Sequence, residues 1–100
     1  MLTYRSSIPL FKSLADETRL EIIDMLSAGE LCACKILERF NFTQPTLSYH
    51  MKILTESGIV TGVRNGAWMR YSLNQEKLGE LKQFLDNLAS GQCRCESKGA

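Results

Sequence analysis

Four cysteines stand in two pairs of identical spacing, Cys32-Ala33-Cys34 and Cys93-Arg94-Cys95. Thiolates placed this closely are soft ligands for thiophilic ions and, if oxidised, partners for a disulfide. In a reducing compartment, ligation or redox sensing is the expected use, ahead of disulfide scaffolding. Residues two apart in a regular helix point ~200° away from each other. Cys32 and Cys34 can therefore hold one ion only at a helix end or across a distorted first turn. Capture there would deform that helix and whatever packs on it. No phosphate-cradling loop and no acid–base pair accompanies the cysteines, so nothing points to an enzyme. The only histidine, His50, reads as a packing or hydrogen-bonding residue at the edge of a core.

A second constellation is polar. Between Thr43 and Glu56, steps of four and three return Leu47, Met51 and Leu54 to one helix face. The other face presents Pro45, Ser48, Tyr49 and Lys52, with Thr46 and Ile53 at its margins. Thr43 is a good N-cap, Gln44-Pro45 suits a first turn, and Ser57-Gly58 ends the segment. Residues 43–73 carry Lys52, Arg64 and Arg70 against Glu56 alone, while the whole chain has a formal net charge of only +1. Bulk charge is thus not that of a nucleic-acid binder, and any DNA face is a matter of local charge.

The elements that position these groups follow from apolar spacing. A first helix is expected from about Ile8, with Leu10, Phe11 and Leu14 as its stripe. Asp16 is the expected N-cap of a second, ending at Gly29 and burying Leu20, Ile23 and Leu26 with Ile22 beside them. A short third helix is expected to hold Leu31, Ile36, Leu37 and Phe40. After Gly58 the period changes: Ile59, Val60 and Val63, then Trp68, Met69, Tyr71 and Leu73, flank Asn65-Gly66, a two-residue hairpin signal. Arg64 then stands at the tip and Arg70 on the returning strand. The last helix, roughly Gln75 to Ala89, carries Leu78, Leu81, Leu85 and Leu88, a spacing shared by a coiled-coil seam and an ordinary core.

That order predicts an α-rich (α+β) chain with a winged helix-turn-helix and a two-stranded β-hairpin wing. A helix fits the major groove, and the wing can lay Arg64 and Arg70 along the backbone or in the minor groove. At 100 residues, 44% hydrophobic and 23% charged, one domain over 1–92 is expected, with a flexible, cysteine-containing tail over 93–100. The core of so short a chain is modest, and an oligomer would hide more apolar surface. No signal peptide and no apolar run of ~20 residues is present, so a cytoplasmic protein without membrane contact is expected.

The runs SLADETRLEIIDML, GELCACKILERFNFTQPTLSYHMKILTESGIV and NGAWMRYSL resemble the ArsR family of metal-responsive repressors over roughly residues 8–73. ELCACKIL resembles the ELCxCDL box of the arsenic- and cadmium-responsive branches, with Lys35 in place of the usual acidic residue. TQPTLSYHMKIL resembles the family's recognition helix. The resemblance implies DNA contacts by Gln44, Thr46, Ser48 and Tyr49, with Lys52 on phosphate. It also implies a homodimer built from the first and last helices, repressing from a palindromic duplex operator, with no cofactor needed for folding.

The implied inducer is arsenite or antimonite, which prefer three thiolates, whereas cadmium, lead and zinc prefer four ligands. Arsenic sensors with a similar box often carry a third cysteine three residues after the second, where this chain has Leu37. Cys93 or Cys95, from the same subunit or its partner, is then the expected third sulfur beside Cys32 and Cys34. Two alternatives stay open: a cadmium or lead sensor using all four cysteines, and a thiol-based redox sensor. The family's zinc site on the last helix needs paired histidine and carboxylate ligands, which this chain lacks.

Overall fold

Each longer helix starts where a short polar side chain satisfies a backbone N–H left free by the first turn. The computed structural model describes residues 2–91. Their order is α1 (Tyr4–Leu14), α2 (Glu17–Leu26), β1 (Leu31–Cys32), α3 (Ala33–Arg39), α4 (Gln44–Ser57), β2 (Val60–Asn65), β3 (Trp68–Leu73) and α5 (Gln75–Ser90). Thr3 and Ser6 form a reciprocal capping box at the start of α1. That cap, rather than the first residue of the apolar stripe, sets the boundary, so α1 begins a turn before the expected Ile8. Asp16 caps α2, Thr43 caps α4 and Asn74 caps α5. Gly58, at φ 90°, closes α4 in the left-handed conformation that costs glycine least. Cys93, Cys95 and the expected tail lie outside the described residues.

Several expectations need correction. α2 ends at Leu26 rather than running to Gly29. It buries Ile22 and Leu26, whereas Leu20 is 51% exposed. α3 is only seven residues long; Phe40 is its C-cap, and Leu31 precedes it in a strand. That strand, β1, pairs antiparallel with β3, so the sheet has three strands in the order β1-β3-β2. The hairpin turn is also shifted by one residue. Asn65 pairs with Trp68, leaving Gly66 and Ala67 as the loop. Gly66 takes φ 70°, and among the described residues no non-glycine has positive φ, so Ala67 does not, as a type II′ turn requires.

The core draws on every helix and on the sheet: Leu10, Ile22, Leu26, Ile36, Leu47, Met51, Leu54, Ile59, Val60, Tyr71 and Leu81 are buried. Burying each large aliphatic side chain is worth about 1.5–3 kcal/mol. Three of these residues, Leu47, Met51 and Leu54, form the expected apolar face of α4, which packs against α1, α2 and β2. The leucine series of α5 divides. Leu81 is inside the subunit and Leu78 packs on the core, while Leu85 and Leu88 are 46% and 54% exposed. The Phe84 ring meets Tyr4 edge-on at 6.3 Å and Phe11 at 6.1 Å, so α5 touches α1 through this ring. Among the described residues, no helix is long and apolar enough to cross a membrane.

Candidate nucleic-acid interface and thiol site

With one face of α4 committed to the core, its other face carries Gln44, Ser48, Tyr49 and Lys52, all exposed. Tyr49 is 61% exposed, unusually open for so large a ring. Lys52 Nζ lies 3.1 Å from Glu56, one turn on. Such an exposed pair is weak and yields readily to a phosphate. Thr46 is different: it is half-buried, and its hydroxyl lies 3.2 Å from that of the capping Thr43. Part of its hydrogen-bonding capacity is therefore spent on the helix start. The structure thus gathers Gln44, Ser48, Tyr49 and Lys52 on one ridge and leaves Thr46 at the margin.

The wing separates its two arginines. Arg64 is opposite Met69, and Arg70 is opposite Val63 on one side and Cys32 on the other. Successive strand residues point to opposite faces, so Arg64 shares a face with Gly62 and Tyr71, and Arg70 shares one with Val63 and Trp68. Arg64 is exposed beside the tip. Arg70 donates from Nε to Glu30 Oε1 at 3.2 Å, across to the residue just before β1. From the sequence, the wing is expected to lay Arg64 and Arg70 along the DNA backbone or in the adjacent minor groove, and the register puts the two side chains on opposite faces of the sheet. Burial pushes the Tyr71 phenol above its ordinary range, partly opposed by the charge of Arg64.

The thiol pair sits at a junction of elements. Cys32 ends β1 and is also the N-cap of α3, its sulfur accepting from the Cys34 N–H at 3.3 Å. Cys34 lies in the first turn of α3. By straddling the helix start, the two side chains escape the divergence of a regular helix. Their Cα atoms are 5.2 Å apart, and their sulfurs face each other directly, within reach of one shared ion or of a disulfide. Among the described residues, no group of three or more His, Cys, Asp or Glu side chains is placed to hold a metal. The box therefore brings two sulfurs together and no local third ligand.

Sequence reasoning missed the sheet link between this pair and the wing. A two-residue strand has no periodicity to detect. The Glu30–Arg70 pair spans 40 positions of sequence and leaves no local signal. α3 is further held to α2 by an ion pair between Arg39 and Glu21. Cys32 is thus tied to the wing through β1 and β3, and through α3 to α2.

Comparison with known proteins follows the same outline. The family profile described as "Bacterial regulatory protein, arsR family" matches residues 16–61, from the cap of α2 into β2. An arsenical resistance operon repressor of Staphylococcus xylosus is 46% identical over 98 residues, covering 96% of this chain and 94% of its own length. Its counterpart in Staphylococcus aureus is 43% identical, covering 97% of this chain and 93% of its own length. Among solved structures, a Mycobacterium bovis domain is described as a homodimeric winged helix-turn-helix DNA-binding domain of a possible ArsR-family transcriptional regulator. It superposes with a TM-score of 0.69 at 26% identity, covering 86% of this chain and 80% of its own.

Proposed function

The chain belongs to the ArsR family of bacterial regulatory proteins, and we propose that it represses an arsenic-resistance operon as a DNA-bound homodimer, released when As(III) or Sb(III) is captured by cysteine thiolates. The observation that carries this reading is the position of Cys32. One residue ends the strand paired to the wing, caps α3 and brings its sulfur to that of Cys34, one short helix before the exposed polar ridge of α4.

In this reading α4 enters the major groove. Gln44, Ser48 and Tyr49 meet base edges or phosphates, and Lys52 exchanges Glu56 for a phosphate. Arg64 supplies the wing's contact, and Arg70 instead ties the wing to β1 through Glu30. Tyr4 and Ile8 on α1, with Leu85 and Leu88 on α5, are exposed apolar side chains. A two-fold axis through that strip hides them and sets two recognition helices on a palindrome. The protein works in the cytoplasm, where the pair is kept reduced.

Capture of the ion draws on the reduced sulfurs of Cys32 and Cys34, with Cys93 or Cys95 as the third. Engaging Cys32 takes its sulfur from the Cys34 N–H and strains both β1 and the first turn of α3. The angle of α4 to the groove then changes, and the contacts above no longer form together. X-ray absorption on the arsenite-loaded protein is expected to count three sulfurs per arsenic in the full chain. A truncation before Cys93 should show fewer protein sulfurs and respond only at higher arsenite. Four sulfurs around bound cadmium, with no release by arsenite, would point to a four-thiolate sensor instead.

The direct pairing of Cys32 with Cys34 favours one second reading, a thiol-redox trigger at the same box. Peroxide and arsenite, compared in one DNA-release assay under otherwise equal conditions, separate the two triggers.

A further inference from the structure

Arg19 is a charged side chain inside the subunit, only 9% exposed. Burying a guanidinium is expensive unless its donors are satisfied. Here they are met by neutral acceptors. Nε donates to the Ser13 carbonyl at 2.7 Å, and one terminal nitrogen lies 3.5 Å from the Lys12 carbonyl, both at the end of α1. The negative end of the α1 dipole thus faces the cation. The other terminal nitrogen is 3.2 Å from His50 Nδ1, on α4. Asp16 Oδ2, which caps α2 by accepting from the Arg19 N–H, lies 4.0 Å from the same imidazole nitrogen. Five charged or hydrogen-bonding groups, Arg19 and His50 included, therefore gather here from α1, α2 with its cap, and α4.

A guanidinium only donates. At 3.2 Å from it, His50 Nδ1 is the acceptor, which places the ring proton on Nε2. The imidazole side chain is only 12% exposed. Its ring is nevertheless the immediate neighbour of the polar ridge of α4. Tyr49 meets it edge-on at 5.3 Å, and the Phe42 ring lies tilted to it at 6.0 Å. Phe42 in turn stacks on Phe40, the C-cap of α3, at 4.9 Å.

From this arrangement we propose that Arg19 and His50 are a positioning pair that fixes the roll of α4, and with it the aim of Tyr49 and Ser48 on duplex DNA. The apolar face of α4 resists withdrawal from the core but permits small rotations about the helix axis. A hydrogen bond from a cation anchored on α1 sets that rotation. Neither residue touches DNA. Because the Phe40–Phe42–His50–Tyr49 run begins where α3 ends, the pair also stands on the route from the thiol box to the DNA-facing ring. The inference rests on the reading of α4 as the DNA-contacting helix.

The test combines spectroscopy with binding. Long-range proton–nitrogen correlation spectra of the full-length reduced protein should show the His50 proton on Nε2. His50→Leu should lower operator affinity by roughly tenfold, the scale of one hydrogen bond to a charged group, with affinity for unrelated duplex and the dimer unchanged. His50→Asn offers an oxygen near the Nδ1 position and should restore operator affinity to within about twofold. A proton on Nδ1 would overturn the proposal, since the ring would then be turned to Asp16. So would wild-type operator affinity in His50→Leu, or no recovery in His50→Asn. Should His50→Leu not fold, the tautomer in the wild-type protein still decides. Ser48→Ala and Tyr49→Ala are the controls: normal operator binding by both would remove α4 from the interface, and the failure would lie in the functional reading and not in the pair.

Discussion

A Cβ built on Gly62 would lie 2.8 Å from Cε1 of Tyr71, inside any tolerable contact. The ring lies across the glycine in the neighbouring strand, and its burial helps to join the wing to the core. Gly62→Ala must push that ring away. A loss of about 1–3 kcal/mol is expected, the usual cost of overpacking, read from the urea midpoint at unchanged slope. The arginines differ at the same scale. Arg64→Ala should weaken binding to all duplexes and lower the salt slope by about one, as for a lost phosphate contact. Arg70→Ala should leave that slope alone, because its side chain is engaged with Glu30 on the other face. Anisotropy at several salt concentrations checks both, and equal slopes for the two variants would contradict the assignment.

Among the elements, those with a strong period or a clear cap were legible in the sequence. α4 was readable from Thr43, Pro45 and Gly58 together with Leu47, Met51 and Leu54, and the structure keeps all of these roles. The hairpin was legible in kind but off by one residue, because Asn65 and Gly66 are both turn formers and only the register shows which of them stays in the strand. Two features lay beyond local pattern. β1 is too short to have one, and its pairing with β3 depends on residues some 40 positions away. Arg19 resembles a surface residue in a short polar run, and its burial is set by where α1 ends and α4 passes. The thiol box was found from residue type and spacing. Its hold on the wing through the β1–β3 pairing was not.

For the whole molecule, the leucine series of α5 serves two purposes that the sequence alone did not separate. Leu81 belongs to the subunit core, so Leu81→Glu should unfold the protein rather than merely dissociate it. Leu85 is on the surface, and Leu85→Glu should give a folded monomer that no longer binds operator, as sedimentation and circular dichroism would show. A dimer in which the Cys32–Cys34 box governs two recognition helices is the centre of the account. The most direct measurement is fluorescence anisotropy of labelled operator duplex, titrated with arsenite under reducing conditions, for the wild-type protein and for Cys32→Ser and Cys34→Ser. The account predicts equal starting affinity in all three, with arsenite releasing DNA from the wild type alone. Release from Cys32→Ser at wild-type arsenite concentrations, together with its loss on truncation before Cys93, would place the sensor in the C-terminal residues and contradict it.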